Sequence, residues 1–352
     1  MEKVFMKGNE AIAEAGIRAG CRFFAGYPIT PQNDIPEYMS RRMPEAGGVF
    51  VQGESEVASI SMLMGSAFNG VKSMTSSSGP GLSLKSEGIS TMAGMQLPAV
   101  IVNVMRGGPG TGAIQGAQMD YLMATKASGH GGFRMIVYAP STVQEAVDYT
   151  IRAFDKAEQY QQPMLIAADG HIGAIMESVE LPEMRPVANM KKNYEFFPHP
   201  GFGKTRQQVY SVDLNLKAQE DFNRYLADLY DIWNRDEVLV EEYLVEDAEY
   251  VIVTYGTSSR IARAAIKALR EEGVKIGMVR PISLYPFPYD SIRKLDPNKV
   301  KKILCLELSI PVQVVEDVEL AVQGKIPIES YGRAASLVFT PEEVIGYFNS
   351  IK

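Results

Sequence analysis

The hydrophobic pattern of residues 1–176 alternates short apolar runs with amphipathic stretches. Runs such as AVIVNVM at 99–105 are continuously apolar, as expected of strands that are covered on both faces of a sheet. The apolar runs predict strands at 22–25, 48–52, 72–76, 99–105, 134–138 and 164–168. The amphipathic stretches predict helices at 9–19, 32–42, 55–68, 82–93 and 143–156. Strand–helix alternation of this length is typical of a doubly wound α/β fold with a parallel sheet.

The pattern changes after Glu177, where prolines and glycines accumulate and no clean period persists. We interpret 178–247 as a connection that wraps the surface and contains one helix. That helix is indicated by apolar residues at helical spacing, namely Phe222, Leu226, Leu229 and Trp233. From 211 to 250 the chain has twelve acidic and three basic residues, which indicates either a solvated acidic face or a docking surface for a partner.

Strand–helix alternation resumes near residue 249. Strands are predicted at 250–256, 275–281 and 301–308, with a helix at 258–272. A last helix is predicted to begin at Thr340, because Thr is a good N-cap and Pro341 suits the first helical turn. The sequence therefore predicts one domain at 1–177 and a second, smaller α/β domain at 248–352, joined by the connection at 178–247.

The composition is typical of a globular chain. Hydrophobic residues are 46% of the 352 residues and charged residues 22%, so enough apolar surface exists to offset the entropy lost on folding, and dominant disorder is excluded. The net charge of −7 argues against a nucleic-acid-binding surface, which needs clustered Lys and Arg. The most apolar stretch, 89–105, is interrupted by Gly94, Gln96 and Pro98, so no membrane span is expected.

Cysteines and histidines are few. Cys21 and Cys305 are too few for a disulfide-stapled secreted fold, so a reducing cytoplasm is the predicted location, and two thiols cannot ligate a cubane iron–sulfur cluster. His130, His171 and His199 lie far apart without metal-ligand spacing, so no metal site is predicted on this chain. His130 lies in a Gly-His-Gly-Gly stretch; it is either a turn residue or a catalytic one, and the lack of an evident partner favours the turn.

Four loops follow predicted strands at the edge where open parallel sheets bind ligands. The first is GYPITP at 26–31, in which two prolines restrict the backbone around Thr30; the alternative is a plain rigid turn. The second is QGESE at 52–56, which places Glu56 at the start of a helix. An acid there often does no more than complement the helix dipole.

The third loop is TSSSGPG at 75–81 and the fourth is RGGPGTG at 106–112. Small residues and free N–H groups at helix starts are typical of anion-binding loops. Arg106, at a strand end and backed by glycines, is a candidate anion clamp, although a lone Arg is more often solvated. Neither loop contains the dinucleotide fingerprint G-x-G-x-x-G, and 198–205 is not a P-loop, because Pro198 occupies the position of its first glycine.

Taken in this order, the four loops resemble those of the α subunit of the 2-oxoacid:ferredoxin oxidoreductases. The likeness covers nearly the whole chain and rests on MKGNEAIAEAGIRAGCRFFAGYPITP at 6–31, ESEVAS at 54–59, TSSSGPGLSLKSEG at 75–88, MRGGPGTG at 105–112 and VRPISLYPFP at 279–288. The stretch QMDYLMATKASGHGGFRMIVYAPSTVQEA at 118–146 is most similar to the branched-chain (2-oxoisovalerate) members. One departure is the turn LSIPVQ at 308–313, which stands one residue longer where the family commonly has Asn-x-Gly-Gln.

The resemblance implies a pyrimidine-binding domain of the thiamine diphosphate type, followed by a transketolase C-terminal-like domain. It implies oxidative decarboxylation of a 2-oxo acid to its acyl-coenzyme A, with ferredoxin as electron acceptor. The Gly-Asp-Gly motif of the diphosphate–Mg²⁺ site is absent, since Ala168 precedes Asp169 and Gly170. Thiamine diphosphate would thus be shared with a β subunit that carries the diphosphate and Mg²⁺. The [4Fe-4S] clusters are expected on partner chains, which include a γ subunit and a ferredoxin-like δ subunit. The isolated chain is expected to be inactive and able to form a homodimer.

The resemblance also assigns roles to individual residues. Glu56 matches the glutamate that binds the thiamine pyrimidine, while Arg106 and Thr30 are expected to hold the substrate. Further cofactor contacts are expected in the first and third loops, at Tyr27, Pro28, Ser78 and Gly79.

Several alternatives stay open. The apolar segment 118–123 and the lack of Arg or Lys between Arg106 and Lys126 favour a branched aliphatic substrate over 2-oxoglutarate, with pyruvate as a further alternative. A subunit of a lipoamide-linked thiamine dehydrogenase is another enzyme class, and the YPITP and RGGPGTG loops count against it. A scaffold that keeps the fold without the chemistry is a third class. The presence of Glu56, Arg106 and Thr30 together argues against that class.

Overall fold

The computed structural model describes residues 2–186, 211 and 214–352. The strands are β1 (Glu2–Lys7), β2 (Phe23–Gly26), β3 (Val49–Gln52), β4 (Ser73–Ser77), β5 (Ala99–Gly107), β6 (Ala113–Gly116), β7 (Val137–Tyr138), β8 (Pro163–Asp169), β9 (Met176–Leu181), β10 (Val240–Tyr243), β11 (Tyr250–Val253), β12 (Ile276–Pro281), β13 (Ser283–Tyr285), β14 (Lys302–Glu307) and β15 (Ile328–Gly332). The helices are α1 (Gly8–Arg18), α2 (Asp34–Glu45), α3 (Glu56–Phe68), α4 (Pro80–Gly94), α5 (Tyr121–Thr125), α6 (Val143–Tyr160), α7 (Gly170–Ala174), α8 (Leu216–Asp236), α9 (Gly256–Glu271), α10 (Tyr289–Arg293), α11 (Val315–Val322) and α12 (Pro341–Ile351), with a 3₁₀ turn at His130–Gly132.

Six parallel strands form the body of the larger sheet, in the order β3-β2-β4-β5-β8-β7. Strand β5 lies near the centre and is buried along its whole length. Val100 and Val102 belong to an apolar cluster with α1, α2 and α6, whereas Ile101 belongs to the cluster formed with α3 and α4. Cover on both faces explains the continuous apolar run of β5, and the predicted doubly wound fold is confirmed.

The smaller sheet has the order β10-β12-β11-β14-β15, in which only the edge strand β10 is antiparallel to its neighbour. Helices α9 and α12 pack on one of its faces. On the other face, Val253 and Ile303 join the same apolar cluster as Ile101 and Tyr121 of the first part of the chain. The two sheets are therefore in contact through one continuous buried cluster.

Strands β1, β10 and β13 were not predicted from the pattern. Strand β1 pairs antiparallel with β9 as a separate two-stranded ribbon. Strand β10 falls within the predicted connection yet pairs with β12 of the smaller sheet. Strand β13 follows β12 along the chain but pairs antiparallel with β7, so the predicted parallel sheet gains an antiparallel edge strand from the second half of the sequence. The division at 1–177, 178–247 and 248–352 stays a prediction.

Some predicted element boundaries shift and others are confirmed. The strand predicted at 134–138 is reduced to the two residues of β7, and the N–H of Arg134 donates to the hydroxyl of Tyr230 on α8 at 3.1 Å. The predicted start of the last helix is confirmed. Thr340 Oγ1 accepts from Glu343 N at 3.2 Å, and the Glu343 carboxylate accepts from Thr340 N at 2.9 Å.

Part of the acidity at 211–250 is paired within the chain. The carboxylate of Glu237 is buried and accepts from Arg152 at 2.7 Å, Lys156 at 2.5 Å and Tyr160 at 2.6 Å, which ties the end of α8 to α6. Glu241 on β10 accepts from Arg280 of β12 at 2.7 Å. These internal pairs stabilise the fold, so this share of the negative charge does not need an external partner.

The P-loop-like stretch 198–205 and His199 lie outside the described residues. Within the described ranges, no helix combines the length and the apolar character needed to cross a membrane.

Candidate active site

The four loops singled out in the sequence lie side by side at one edge of the larger sheet. They follow β2, β3, β4 and β5, which are neighbours in the order β3-β2-β4-β5, and the carboxyl ends of parallel strands share one edge. The first two loops are joined directly, since Gly53 N donates to Gly26 O at 3.0 Å. The four loops therefore form one continuous candidate site at this edge of the sheet.

Glu56 is the first residue of α3, and its side chain is buried at this edge. Ser55 caps the helix, because its Oγ accepts from Ala58 N at 3.1 Å. Glu56 is only 5% exposed, and within the described part of the chain its carboxylate accepts no hydrogen bond. Burying an acid without a hydrogen-bond partner is unfavourable, so this carboxylate is available to a ligand.

The start of α4 lies against the Glu56 carboxylate. A Cβ atom at Gly81 would stand 2.7 Å from Glu56 Oε1, closer than side chains approach, so the helix needs glycine here. The hydroxyls of Ser77 and Ser78, just before this helix, are buried and have no hydrogen-bond partner in the described ranges. The turn between them and the helix is made by Gly79, whose φ of +42° favours glycine.

Arg106 lies at the end of β5 and is 4% exposed. Its Nη1 donates to Thr30 O at 2.8 Å and its Nη2 to Thr111 O at 2.9 Å, while its buried Nε has no partner among the described residues. A guanidinium has five N–H groups, so these bonds leave three for an anion. The side chain also passes over Gly79, where a Cβ would lie 3.4 Å from Arg106 Cγ. Arg106 contacts the carbonyl of Thr30 and leaves the hydroxyl of Thr30 to other partners.

Gln32, a residue that the sequence did not single out, supports the first loop from the protein interior. Gln32 is fully buried, and its Nε2 donates to Tyr27 O at 3.1 Å. Tyr27 is half-buried and Pro28 is exposed, and no hydrogen bond in the described part of the chain joins either to Glu56 or Arg106. Tyr27 and Pro28 therefore lie at the rim of the site.

Two further polar residues support Arg106 from the sheet. Asn103 Oδ1 accepts from Gly79 N at 3.3 Å, and Asn103 Nδ2 donates to Asp120 Oδ2 at 3.1 Å. Burial raises the pKa of Asp120 to about 6, although the hydrogen bond from Asn103 and the charge of Arg106 favour its ionised form. The sequence signal for this pair is Asn103 itself, since it is the one polar residue in the apolar run AVIVNVM.

A buried glutamine joins the site to the smaller sheet. Gln118 Nε2 donates to Tyr255 O at 2.8 Å, and its Oε1 accepts from Ser258 Oγ at 2.7 Å and from Leu308 N at 2.8 Å. Every polar atom of this side chain is therefore satisfied, which is the usual condition for burying an amide.

The lengthened turn at 308–313 contacts the same segment. Gln313 Nε2 donates to Met119 O at 2.9 Å, and Gln313 Oε1 accepts from Leu122 N at 2.9 Å. The turn thus fixes the residues on both sides of Asp120. It therefore contacts the candidate site of this chain itself.

Asp169 and His130 have structural partners. The Asp169 carboxylate accepts from Ile172 N at 3.1 Å, from Thr257 N at 2.7 Å and from Thr257 Oγ1 at 2.6 Å. His130 is exposed in its 3₁₀ turn, and its carbonyl accepts from Ser90 Oγ at 2.7 Å, as suits a turn residue. Across the described residues, no group of three or more His, Cys, Asp or Glu side chains is placed to hold a metal ion.

The site fits the pyrimidine end of thiamine diphosphate. An aminopyrimidine presents ring nitrogens and an amino group, which bind an acid and small hydroxyl groups. Glu56 supplies a buried acid, Ser77 and Ser78 supply buried hydroxyls, and none of the three has a hydrogen-bond partner within the described ranges; the glycine at position 81 leaves room beside them. These unsatisfied polar atoms are what a bound polar ring would satisfy.

Two known families match the chain. Residues 14–227 match the family described as pyruvate flavodoxin/ferredoxin oxidoreductase, thiamine diphosphate-binding, and residues 248–344 match pyruvate:ferredoxin oxidoreductase core domain II. The chain is 43% identical over 325 residues to the ketoisovalerate oxidoreductase subunit VorB of Methanothermobacter marburgensis, covering 91% of this chain and 90% of that protein. It is 36% identical over 365 residues to the 2-oxoglutarate synthase subunit KorA of Methanocaldococcus jannaschii, covering 98% of each.

Two solved structures share the architecture. The 2-oxoglutarate:ferredoxin oxidoreductase from Magnetococcus marinus, which was solved with 2-oxoglutarate, coenzyme A and succinyl-CoA bound, superposes with a TM-score of 0.86 at 27% identity. The match covers 99% of this chain but only 65% of that one. A split-gene transketolase in an inactive tetrameric form gives a TM-score of 0.61 at 14% identity, covering 98% of this chain and 97% of that chain, which shows the fold alone.

Proposed function

Because this chain belongs to the 2-oxoacid:ferredoxin oxidoreductase family, we propose that it is the subunit that holds the 2-oxo acid and the pyrimidine end of thiamine diphosphate. In this proposal the assembled enzyme oxidatively decarboxylates a branched-chain 2-oxo acid, 2-oxoisovalerate, to its acyl-coenzyme A, and ferredoxin accepts the electrons. The identity of 43% to a ketoisovalerate oxidoreductase subunit supports this choice of substrate.

The observation that carries the proposal is the position of Glu56, buried beside the hydroxyls of Ser77 and Ser78, all three without a hydrogen-bond partner among the residues that the structure describes. Thiamine diphosphate, when bound, supplies the nucleophilic carbon and the electron sink that decarboxylation of a 2-oxo acid requires. The carboxyl group of Glu56 would share a proton with the N1′ atom of the pyrimidine, and it would be ionised when the ring carries that proton. In a buried site this hydrogen bond does not compete with water, so it has more influence on the ring than it would in solution.

Arg106 and Thr30 bind the substrate in this proposal. Every 2-oxo acid has a carboxylate, and a guanidinium binds a carboxylate through two parallel hydrogen bonds. Arg106 has three N–H groups that its bonds to Thr30 O and Thr111 O do not use. The bond to Thr30 O also fixes the first loop, so the hydroxyl of Thr30 is held where it can donate to the carboxylate or the keto oxygen.

Partner subunits supply the remaining chemistry. In this proposal a β subunit carries the diphosphate and Mg²⁺ site, a ferredoxin-like δ subunit carries [4Fe-4S] clusters, and a γ subunit completes a cytoplasmic complex. The missing Gly-Asp-Gly motif around Asp169 and the presence of only two cysteines in this chain support that division. The relatives are likewise named as subunits.

The alternative substrate is 2-oxoglutarate, because a 2-oxoglutarate synthase subunit is 36% identical over 98% of this chain. Its second carboxylate needs a cation near the end of the substrate tail. This chain has no Arg or Lys between Arg106 and Lys126, and Lys126 is itself paired with Asp317 at 2.5 Å. The lack of Arg and Lys at 107–125 and the pairing of Lys126 therefore favour the aliphatic substrate.

The proposal is tested with the complex obtained by co-expressing the chain with the products of the neighbouring genes. Dye reduction by viologen is measured with 2-oxoisovalerate, 2-oxoglutarate and pyruvate in the presence of coenzyme A. We expect the highest kcat/KM with 2-oxoisovalerate. A higher value for 2-oxoglutarate overturns the substrate assignment.

A second measurement tests the division of labour between subunits. Thiamine diphosphate with Mg²⁺ is titrated calorimetrically into the purified chain, and the same chain is assayed alone. Tight binding, or dye reduction that depends on a 2-oxo acid, contradicts the partner-supplied diphosphate site.

A further inference from the structure

Lys85 is a fully buried lysine beside the candidate site. Gly81, Lys85 and Gly88 lie on one face of α4, because residues four and seven apart share a helix face. That face packs on α3: a Cβ at Gly81 would lie 2.7 Å from Glu56 Oε1, and a Cβ at Gly88 would lie 2.6 Å from Ile60 Cγ1. Lys85 lies between Gly81 and Gly88 along this face, one helical turn after the glycine that contacts Glu56.

The ammonium group of Lys85 has two hydrogen-bond partners, both neutral. Its Nζ donates to Thr75 Oγ1 at 2.5 Å and to Ser76 O at 3.2 Å, both on β4. An ammonium has three N–H groups and a full positive charge, so these neutral acceptors compensate only part of the cost of burial. A buried cation of this kind needs an anion nearby.

The elements packed against α4 offer few titratable groups. Glu56 is the one charged residue of α3. Glu87 of α4 itself and His130 of the 3₁₀ turn are both exposed, and Asp169 of β8 is bound to Thr257. Burial lowers the pKa of Lys85 to about 7, and the negative charge of Glu56 acts in the opposite direction.

We propose that Lys85 is the buried counter-ion of Glu56, a positioning residue whose charge stabilises the ionised carboxylate facing the cofactor pyrimidine. The part that concerns the pyrimidine rests on the proposed function of Glu56; the pairing of the two charges does not. Lys85 has no contact with the substrate in this proposal, and it acts only through Glu56.

The pairing is tested first on the full chain without cofactor. Thermal unfolding at pH 6 is compared for the wild type, Lys85→Gln, Glu56→Gln and the double variant. Lys85→Gln keeps a hydrogen-bond donor for Thr75 and removes the charge. If this variant does not fold, Lys85→Met, whose side chain has a similar length, is used in its place. If the two charges are paired, removing the second charge destabilises the chain less once the first charge is gone. We therefore expect the loss in Tm of the double variant to be smaller than the sum of the losses of the two single variants. Additive losses overturn the pairing.

The effect on the site is tested in the assembled complex through the pH dependence of kcat/KM. Burial lowers the pKa of Lys85 to about 7, so its charge is lost above that pH; we therefore expect the kcat/KM of the wild type to fall through about pH 7, and this basic limb to be lost in Lys85→Gln. Lys72→Gln is the matched control, because Lys72 pairs with Glu158 at 2.9 Å, away from Glu56, and its removal is expected to leave the limb in place. A basic limb that persists in Lys85→Gln overturns the positioning role.

Failure of this proposal and failure of the proposed function give different results. If Glu56→Gln in the complex keeps wild-type activity, the function proposed for Glu56 is wrong, whatever the unfolding cycle shows. If Glu56→Gln is inactive while the unfolding losses are additive, the function stands and the role of Lys85 is wrong.

Discussion

Gln118 donates a hydrogen bond to Tyr255 across the boundary between the two sheets. The bond joins Gln118 Nε2 to Tyr255 O at 2.8 Å, and both residues are fully buried. Two residues beyond Gln118 lies Asp120, which accepts from Asn103 below the third loop. The smaller sheet therefore holds in place the segment that supports the Arg106 loop.

Replacing Gln118 by Leu is expected to destabilise the full chain. The substitution keeps the approximate volume but leaves Ser258 Oγ and Leu308 N buried without their partner, at about 1–3 kcal/mol for each group. The measurement is the free energy of unfolding in denaturant. Gln159→Leu, at an exposed position of α6, is the control and is expected to change stability by less than about 0.5 kcal/mol. Equal stability of the two variants would show that the buried amide contributes nothing.

Glu56→Gln is expected to lower the turnover of the assembled complex by about 10²-fold or more, a typical loss when an acid–base group is removed. The amide has nearly the same shape but cannot hold and release a proton. Turnover is followed by viologen reduction. Glu54→Gln is the matched control, because Glu54 is exposed two residues earlier and is expected to keep wild-type turnover. Near wild-type turnover in Glu56→Gln contradicts the assignment.

Arg106→Lys is expected to lower kcat/KM for every 2-oxo acid by about 10- to 100-fold. The lysine keeps the charge but loses the planar fork, and one ammonium cannot replace the bonds to Thr30 O and Thr111 O while also binding a carboxylate in two places. Steady-state kinetics with several 2-oxo acids measure the effect, and Arg41→Lys at an exposed position of α2 serves as the control. An unchanged kcat/KM for all substrates would exclude the clamp.

Glu307 makes the stability of the chain depend on pH. It is fully buried, accepts from Tyr255 OH at 2.7 Å and from Val314 N at 3.2 Å, and burial raises its pKa from 4.5 to about 7. Because the folded-state pKa is raised, its contribution is fully present below pH 4.5 and is lost as the pH rises through about 7. Glu307→Gln does not titrate.

The Tm of Glu307→Gln relative to that of the wild type should therefore rise between pH 5 and pH 8. The expected rise corresponds to about a few kcal/mol in the free energy of unfolding. Thermal unfolding of the full chain at pH 5, 6.5 and 8 measures this change. Glu316→Gln, exposed on the neighbouring α11, is the control. A Tm difference that does not depend on pH contradicts the titration of Glu307 in this range.

Much of the fold could be predicted from the sequence because local patterns dictate it. Strand β5 is apolar along its length because helices cover both of its faces, and the run AVIVNVM shows this directly. The helix starts at Glu56 and at Pro341 follow capping residues, Ser55 and Thr340, that act within their own turn of helix. The order of the four loops along the chain then predicts that they share one sheet edge.

Short edge strands could not be predicted in the same way. Strands β10 and β13 have four and three residues, too few for a reliable period of two, and their partners lie far away in the sequence. Tyr285 pairs with Val137 of the larger sheet, a contact that no local pattern of the second half of the chain indicates. Pairing of this kind is decided by how the two sheets pack.

The sequence by itself determined the α/β class and the four loops, since each depends on residue type and on spacing along one element, and its resemblance to a known family indicated the candidates Glu56, Arg106 and Thr30. Only the tertiary structure decided which of the other polar side chains lie buried against them. Lys85 and Gln118 look like ordinary surface residues in the sequence, yet both are fully buried. Burial depends on the segments that cover a side chain, and those segments come from distant parts of the chain. The local dielectric around Lys85 and its charge partners also depend on those distant segments. They therefore cannot be predicted from the sequence of its own helix.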